Sequence, residues 1–187
     1  MLCWGVFAAV FLFRKLSAGG SVTKRDRVSL IGIVIQVVGM AFVWWARRSI
    51  AEPIVPAPIS AQLVVAVVAI LLAIASIWMV LTAVRTLGEQ WSLSARLIDG
   101  HRLITSGPYR LVRHPIYTGI FGLALATGLV LTRWIPFGVG IFFLALGTVI
   151  RVRVEERLLR EQFGNEFETY ARRVPAVIPG VGVFSAK

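Results

Sequence analysis

Four long apolar runs divide the chain. Residues 30–46, 63–84, 115–131 and 135–150 carry no charged side chain, and a helix crosses the hydrocarbon core of a bilayer with roughly 20 apolar residues. A further run, residues 2–13, is short for an upright span. It is not read as a signal peptide, because no positive residue precedes it and no small-residue cleavage site is evident. Only Thr132, Arg133 and Trp134 separate the last two runs, so these must form a tight antiparallel hairpin. Beyond residue 150 the pattern becomes amphipathic. Leu159, Phe163, Phe167 and Tyr170 recur at helical spacing, which predicts a C-terminal helix over residues 152–170. Gly164 is a place for it to bend, and the helix either rests on the membrane or caps the bundle. The pattern therefore predicts an all-α, polytopic integral membrane bundle of about five transmembrane helices, with residues 1–187 as one domain.

Composition strengthens this picture. The chain is 57% hydrophobic with a mean hydropathy of +0.80, against about 45–50% apolar residues in soluble domains. The net charge of +11 raises nucleic acid as a partner. The basic residues, however, flank the apolar runs, which is the signature of basic loops at a membrane surface, and nucleic acid is not expected. With five spans, the segments 14–27, 85–114 and 151–187 share one side and hold seventeen of the twenty lysines and arginines; Arg47, Arg48 and Arg133 hold the other. Positive residues stay cytoplasmic, so the N-terminus is placed outside and the C-terminus in the cytoplasm, in an inner or plasma membrane. The loop at 85–114 contains Trp91, Leu93, Leu97, Ile98, Leu103 and Ile104, and is read as lying along the membrane surface. The proline-rich stretch at 52–58 reads as a stiff connector. A lone cysteine excludes an intrachain disulfide, and two histidines do not make a metal cluster.

Candidate chemistry gathers in "SGPYRLVRHPIYTGIFG", residues 106–122. Pro115 suits the first turn of a helix, where its missing N–H does no harm. That places His114 at the helix start, whose free N–H groups favour an anion. Arg110 and Arg113 are read as interface anchors. Thr118, Gly122 and Ala126 are spaced by four, as in close helix–helix packing. Arg151 and Glu155 share a helix face where the last span leaves the membrane, either as an ordinary ion pair or as polar groups turned toward a cavity. Glu156 follows them. The hairpin makes these two regions neighbours. Such a site, with apolar walls, a helix start and a carboxylate, suits an amphiphilic cationic ligand. There is no serine triad pattern, no phosphate-binding loop and no dinucleotide glycine fingerprint.

The stretch "HRLITSGPYRLVRHPIYTG", followed by an R-x-x-x-E-E element in "RVRVEERLLREQFGNEFETYARRVPAVIPG", resembles the isoprenylcysteine carboxyl methyltransferase family over about residues 94–179. The resemblance implies a membrane-embedded enzyme that uses S-adenosyl-L-methionine. It implies that His101, Arg102, Leu103, Ile104, Tyr109, His114, Pro115, Ile116 and Tyr117 line the cofactor. Glu155 contacts the cofactor as well, with Glu156 completing the acidic pair in support. Arg151 is implied to face the substrate carboxylate, and Ser94 stands where relatives can carry a polar amide. The implied reaction is direct, in-line attack of a carboxylate on the sulfonium methyl, with no general base. The acceptor would be an isoprenylcysteine-like or other lipophilic molecule entering sideways from the bilayer among the membrane lipids. Two alternatives stay open on the same motifs: a phospholipid N-methyltransferase, and, more distantly, an NADPH-dependent membrane reductase. A scaffold without catalytic activity is a third.

Overall fold

The computed structural model describes residues 4–5, 22–25, 27–45, 47–49, 52, 58–91, 96–98 and 102–180. Helices α1 (Val28–Trp45), α2 (Ile59–Leu87), α3 (Pro115–Leu131), α4 (Trp134–Phe163) and α5 (Asn165–Ala171) carry the fold. The bundle is helical, as the apolar runs require. Strands β1 (Val22–Arg25) and β2 (Arg96–Ile98) form a short antiparallel ladder between connecting segments. α1, α2 and α4 are long and apolar enough to cross a membrane, and α3 is a shorter apolar helix of 17 residues. The run at 2–13 lies outside the described residues except for Trp4 and Gly5. The Trp4 indole donates to Thr127 Oγ1 at 2.9 Å and its ring meets that of Trp44 edge-on. The connector at 52–58 is likewise described only at its two ends.

The helices pack in two antiparallel pairs, α1 along α4 and α2 along α3. The reason lies in small residues. In lipid there is no hydrophobic drive to pair helices, so close backbone approach and polar contacts do the work. Along α1 the buried positions are Ser29, Gly32, Gln36, Gly39 and Val43, while Ile31, Val34 and Val37 face outward. Gly32 and Gly39 meet Gly147 and Gly140 of α4. A Cβ added at Gly39 would fall 2.6 Å from the Leu144 backbone nitrogen, so only glycine fits. The second seam sets Gly119 and Gly122 of α3 against Ser76 and Val80 of α2. The spaced-by-four stripe of Thr118, Gly122 and Ala126 meets this expectation only in part. Gly122 and Ala126 are buried, but the Thr118 hydroxyl donates to the Val177 carbonyl at 2.5 Å.

One expected boundary differs. The residues from 152 onward do not start a separate helix, because α4 continues unbroken to Phe163. Thirty residues at 1.5 Å each make it roughly 45 Å long, so it projects beyond a ~30 Å core. It stops at Gly164, whose φ of +50° lies in the left-handed region that glycine tolerates. α5 then folds back across the projecting end. Arg160 sits in the crook, bonded to Glu156 Oε2 at 3.1 Å and to Glu168 Oε1 at 2.8 Å. After α5, residues 174–177 run as a strap along the start of α3. The Arg113 and His114 backbone N–H groups donate to the Pro175 and Ala176 carbonyls at 2.8 and 2.9 Å. Of the two placements open to the tail, it caps the bundle.

Candidate functional site

Two elements frame the site. The N-terminus of α3 supplies His114 and Tyr117, and the projecting part of α4 supplies Arg151, Glu155 and Glu156. Helical spacing places Arg151 and Glu155 one turn apart on α4, while Pro115 at the first helical position sets the start of α3 and aims His114 across at them.

His114 is the hinge of the arrangement. Its Nδ1 lies 3.3 Å from Glu155 Oε2 and its Nε2 lies 3.4 Å from Glu156 Oε1. Both ring nitrogens can donate only in the imidazolium. Burial alone would lower the His114 pKa, but the hydrogen bonds and charges of Glu155 and Glu156 outweigh it and raise the pKa above its ordinary 6.5. The ring is 6% exposed.

The two carboxylates have different surroundings. Glu156 Oε1 accepts from Arg113 Nε at 2.9 Å and Nη2 at 2.6 Å, and Oε2 accepts from Arg160. Its side chain is 6% exposed, whereas that of Glu155 is 25% exposed. Glu155 Oε1 accepts from the Tyr117 hydroxyl and lies 3.7 Å from Arg151 Nη2. The Arg151 guanidinium stacks 5.0 Å from the Tyr117 ring centroid, a geometry in which the ring face attracts a cation. On its other side Nη1 donates to Gln36 Oε1 at 3.2 Å.

Tyr109 is buried, and its carbonyl accepts from Tyr170 Oη at 2.6 Å. Burial first, then the charge of Glu155, pushes its phenol far above the usual range, so it stays neutral. A cavity of about 510 Å³ lies beside it, lined among others by Leu103, Thr105, Arg110, Glu166, Tyr170 and Arg173.

The residues named from the sequence therefore separate into groups. His114, Tyr117, Arg151, Glu155 and Glu156 meet directly, with Tyr109 in electrostatic reach of Glu155. Leu103 faces the cavity under the tail. The exposed Arg102 donates its backbone N–H to Gln90 Oε1 at 2.6 Å, and Ile104 is half-buried. Pro115 is fully buried, and Ile116 packs against Val80, Val84 and Trp91 on the α2 side. His101 and Ser94 lie outside the described residues. Arg113 corrects an expectation. It is not an interface anchor but is 4% exposed, and its Nη1 also donates to the Ala171 and Val174 carbonyls. Arg110 stays exposed. Gln36 is the site neighbour that the motifs do not contain. A buried amide inside an otherwise apolar run is its signal.

Comparison with known proteins gives the family. The profile of the isoprenylcysteine carboxyl methyltransferase (ICMT) family matches residues 65–161, which include α3, Arg151, Glu155 and Glu156. The chain is similar to a probable protein-S-isoprenylcysteine O-methyltransferase of Oryza sativa subsp. indica, at 39% identity over 101 residues, 52% of each chain. It is similar to the protein-S-isoprenylcysteine O-methyltransferase of Saccharomyces cerevisiae, at 34% identity over 99 residues, 52% of this chain and 41% of that one. It is also similar to the cobalt-zinc-cadmium resistance protein CzcN of Cupriavidus metallidurans, at 36% identity over 107 residues, 53% of this chain and 46% of that one. The chain spans about half the length of the curated relatives it matches.

Proposed function

Because this chain belongs to the isoprenylcysteine carboxyl methyltransferase family, we propose that it is an integral-membrane methyltransferase that esterifies a lipophilic carboxylate of the isoprenylcysteine kind. The observation that carries the reading is the meeting of Arg151 and Glu155 of α4 with His114 and Tyr117 of α3.

The site chemistry suits S-adenosyl-L-methionine. Glu155 keeps a quarter of its side chain accessible amid buried neighbours, and a carboxylate beside tyrosine rings receives cationic groups. When bound, this cofactor supplies an electrophilic methyl group on sulfur. Tyr109, His114, Tyr117 and Glu155 are proposed to hold it. His101, Arg102, Leu103, Ile104, Pro115 and Ile116 join them on the family resemblance, and Glu156 supports from behind. Arg151 grips the acceptor carboxylate through its fork of donors. A carboxylate is ionised near pH 7, so no residue here must take a proton. This favours a carboxylate over an amine acceptor, since His114 already faces a carboxylate from each ring nitrogen. Catalysis then rests on holding the reactants in line. The basic end of the bundle is proposed to face the cytoplasm, and the acceptor to enter from the bilayer.

The test uses the full chain purified in detergent with methyl-labelled cofactor and N-acetyl-S-farnesylcysteine. A labelled product that alkali cleaves to methanol is expected. Absence of S-adenosylhomocysteine binding by folded protein, or an alkali-stable methylamine from a lipid extract, would overturn the reading. Glu155→Gln should weaken S-adenosylhomocysteine binding by roughly tenfold, about 1.4 kcal/mol, in a calorimetric titration.

A further inference from the structure

The Gln36 amide has a defined orientation. Thr148 Oγ1 donates to the Leu144 carbonyl at 2.8 Å, one turn back on α4. A hydroxyl has a single proton, so toward Gln36 it can only accept, and Gln36 Nε2 donates to it at 2.8 Å. The amide oxygen must then point the other way, where Arg151 Nη1 meets it at 3.2 Å. The hydrogen-bond relay from Leu144 through Thr148 and Gln36 thus selects the acceptor end of the amide for the guanidinium.

The α1–α4 seam is shaped around these two side chains. A Cβ added at Gly32 would lie 2.5 Å from Arg151 Cγ, and one added at Gly147 would lie 2.7 Å from Gln36 Cγ. Each glycine makes room for the stem of the polar side chain from the facing helix. An amide used only to join helices would be served by Thr148 alone. Here it also reaches the cation of the site.

The charge of the partner matters. Glu155 is engaged by Tyr117 and His114 and lies 3.7 Å from Arg151 Nη2, and Glu156 is engaged by Arg113 and Arg160. At Gln36, Arg151 meets a neutral acceptor, which holds the guanidinium over Tyr117 without adding a second carboxylate to the one it already faces in Glu155. A second carboxylate, at position 36, would form a further buried ion pair with Arg151 and compete with an incoming acceptor carboxylate.

We propose that Gln36 is a positioning and specificity-determining residue, which orients Arg151 through a neutral contact and so keeps the site selective for an anionic acceptor. This rests on the carboxylate-methylating reading above. The near-isosteric variant Gln36→Glu, in the full chain, is the direct test with N-acetyl-S-farnesylcysteine. The KM for that acceptor should rise roughly tenfold, with kcat within about threefold and S-adenosylhomocysteine affinity within about twofold. Thr148→Val, which removes the relay that orients the amide, should shift the same KM in the same direction by about threefold, and it serves as the readout if Gln36→Glu does not fold. A purely structural Gln36 would instead lower folded yield and both affinities together. An unchanged acceptor KM in both variants, or a parallel loss of cofactor-product affinity, would overturn the proposal. Wild-type protein that methylates no lipophilic carboxylate would overturn the functional reading, and this inference with it.

Discussion

Arg133 and Glu52 pair at one end of the bundle at 3.0 Å, and Arg113 and Glu156 pair at the other at 2.6 Å. The chemistry is the same, but the surroundings are not. The first pair is 64% and 43% exposed, the second 1% and 6%. Three further arginines extend the contrast. At the first end Arg47 lies over the Trp44 ring, and Arg48 donates to the Leu129 and Thr132 carbonyls, closing the last turn of α3. These are anchoring and capping duties. At the opposite end Arg113 and Arg151 are buried among carboxylates and tyrosines. One end uses arginine to meet the membrane boundary, whereas the other spends burial on holding charges in fixed positions, as a site requires.

That contrast makes the buried end far more sensitive to loss of one charge. Glu156→Gln keeps the volume and removes the charge that faces Arg113, Arg160 and His114. Leaving a buried cation without its partner costs about 3–5 kcal/mol. The expected result is a fall of roughly 10 °C in the detergent melting midpoint, read by intrinsic fluorescence. A midpoint within a degree or two of wild type would erase the distinction between the two ends.

A smaller effect comes from pH. The His114 pKa is raised in the folded chain because the carboxylates outweigh burial. Its stabilisation is therefore fully present below the ordinary value of 6.5 and is lost as pH rises through the raised folded value. The melting midpoint of the wild type should decline as pH climbs above 6.5, and that of His114→Gln should decline less. Parallel curves would show that the imidazolium contributes nothing between Glu155 and Glu156.

Much of this contrast was legible in the residues. The short link at Thr132 and Arg133, the start of α3 at Pro115 and the company of His114, Arg151 and Glu155 follow from spacing and from the rule that proline opens a helix. Hydropathy misplaced the C-terminal end of α4 for a physical reason. Arg151, Arg153, Glu155 and Arg157 end the apolar run but are good helix formers, so the helix outlasts the membrane-compatible stretch. Arg113 was misread because burial depends on what the tail does. Only when α5 turns back at Gly164 do the Ala171 and Val174 carbonyls arrive to enclose it. The α1–α4 pairing had a signal, glycines seven apart at 32 and 39 and again at 140 and 147, but a spacing on one helix does not name its partner. Gln36 was visible as a lone amide, while its role needed the facing helix.

The smallest expected effect sharpens the comparison most. Arg133→Ala removes the exposed ion pair with Glu52. Solvent screens the charges, and ordering two mobile side chains offsets most of the attraction, so such pairs contribute about 0–1 kcal/mol. Alanine should therefore move the melting midpoint by less than roughly 3 °C and leave methyl transfer unchanged. Arg48, rather than Arg133, supplies the donors at the end of α3, so the turn itself keeps its hydrogen bonds. A loss as large as that of Glu156→Gln would mean that Arg133 does more than anchor, and that exposure is a poor guide to which of these arginines matter.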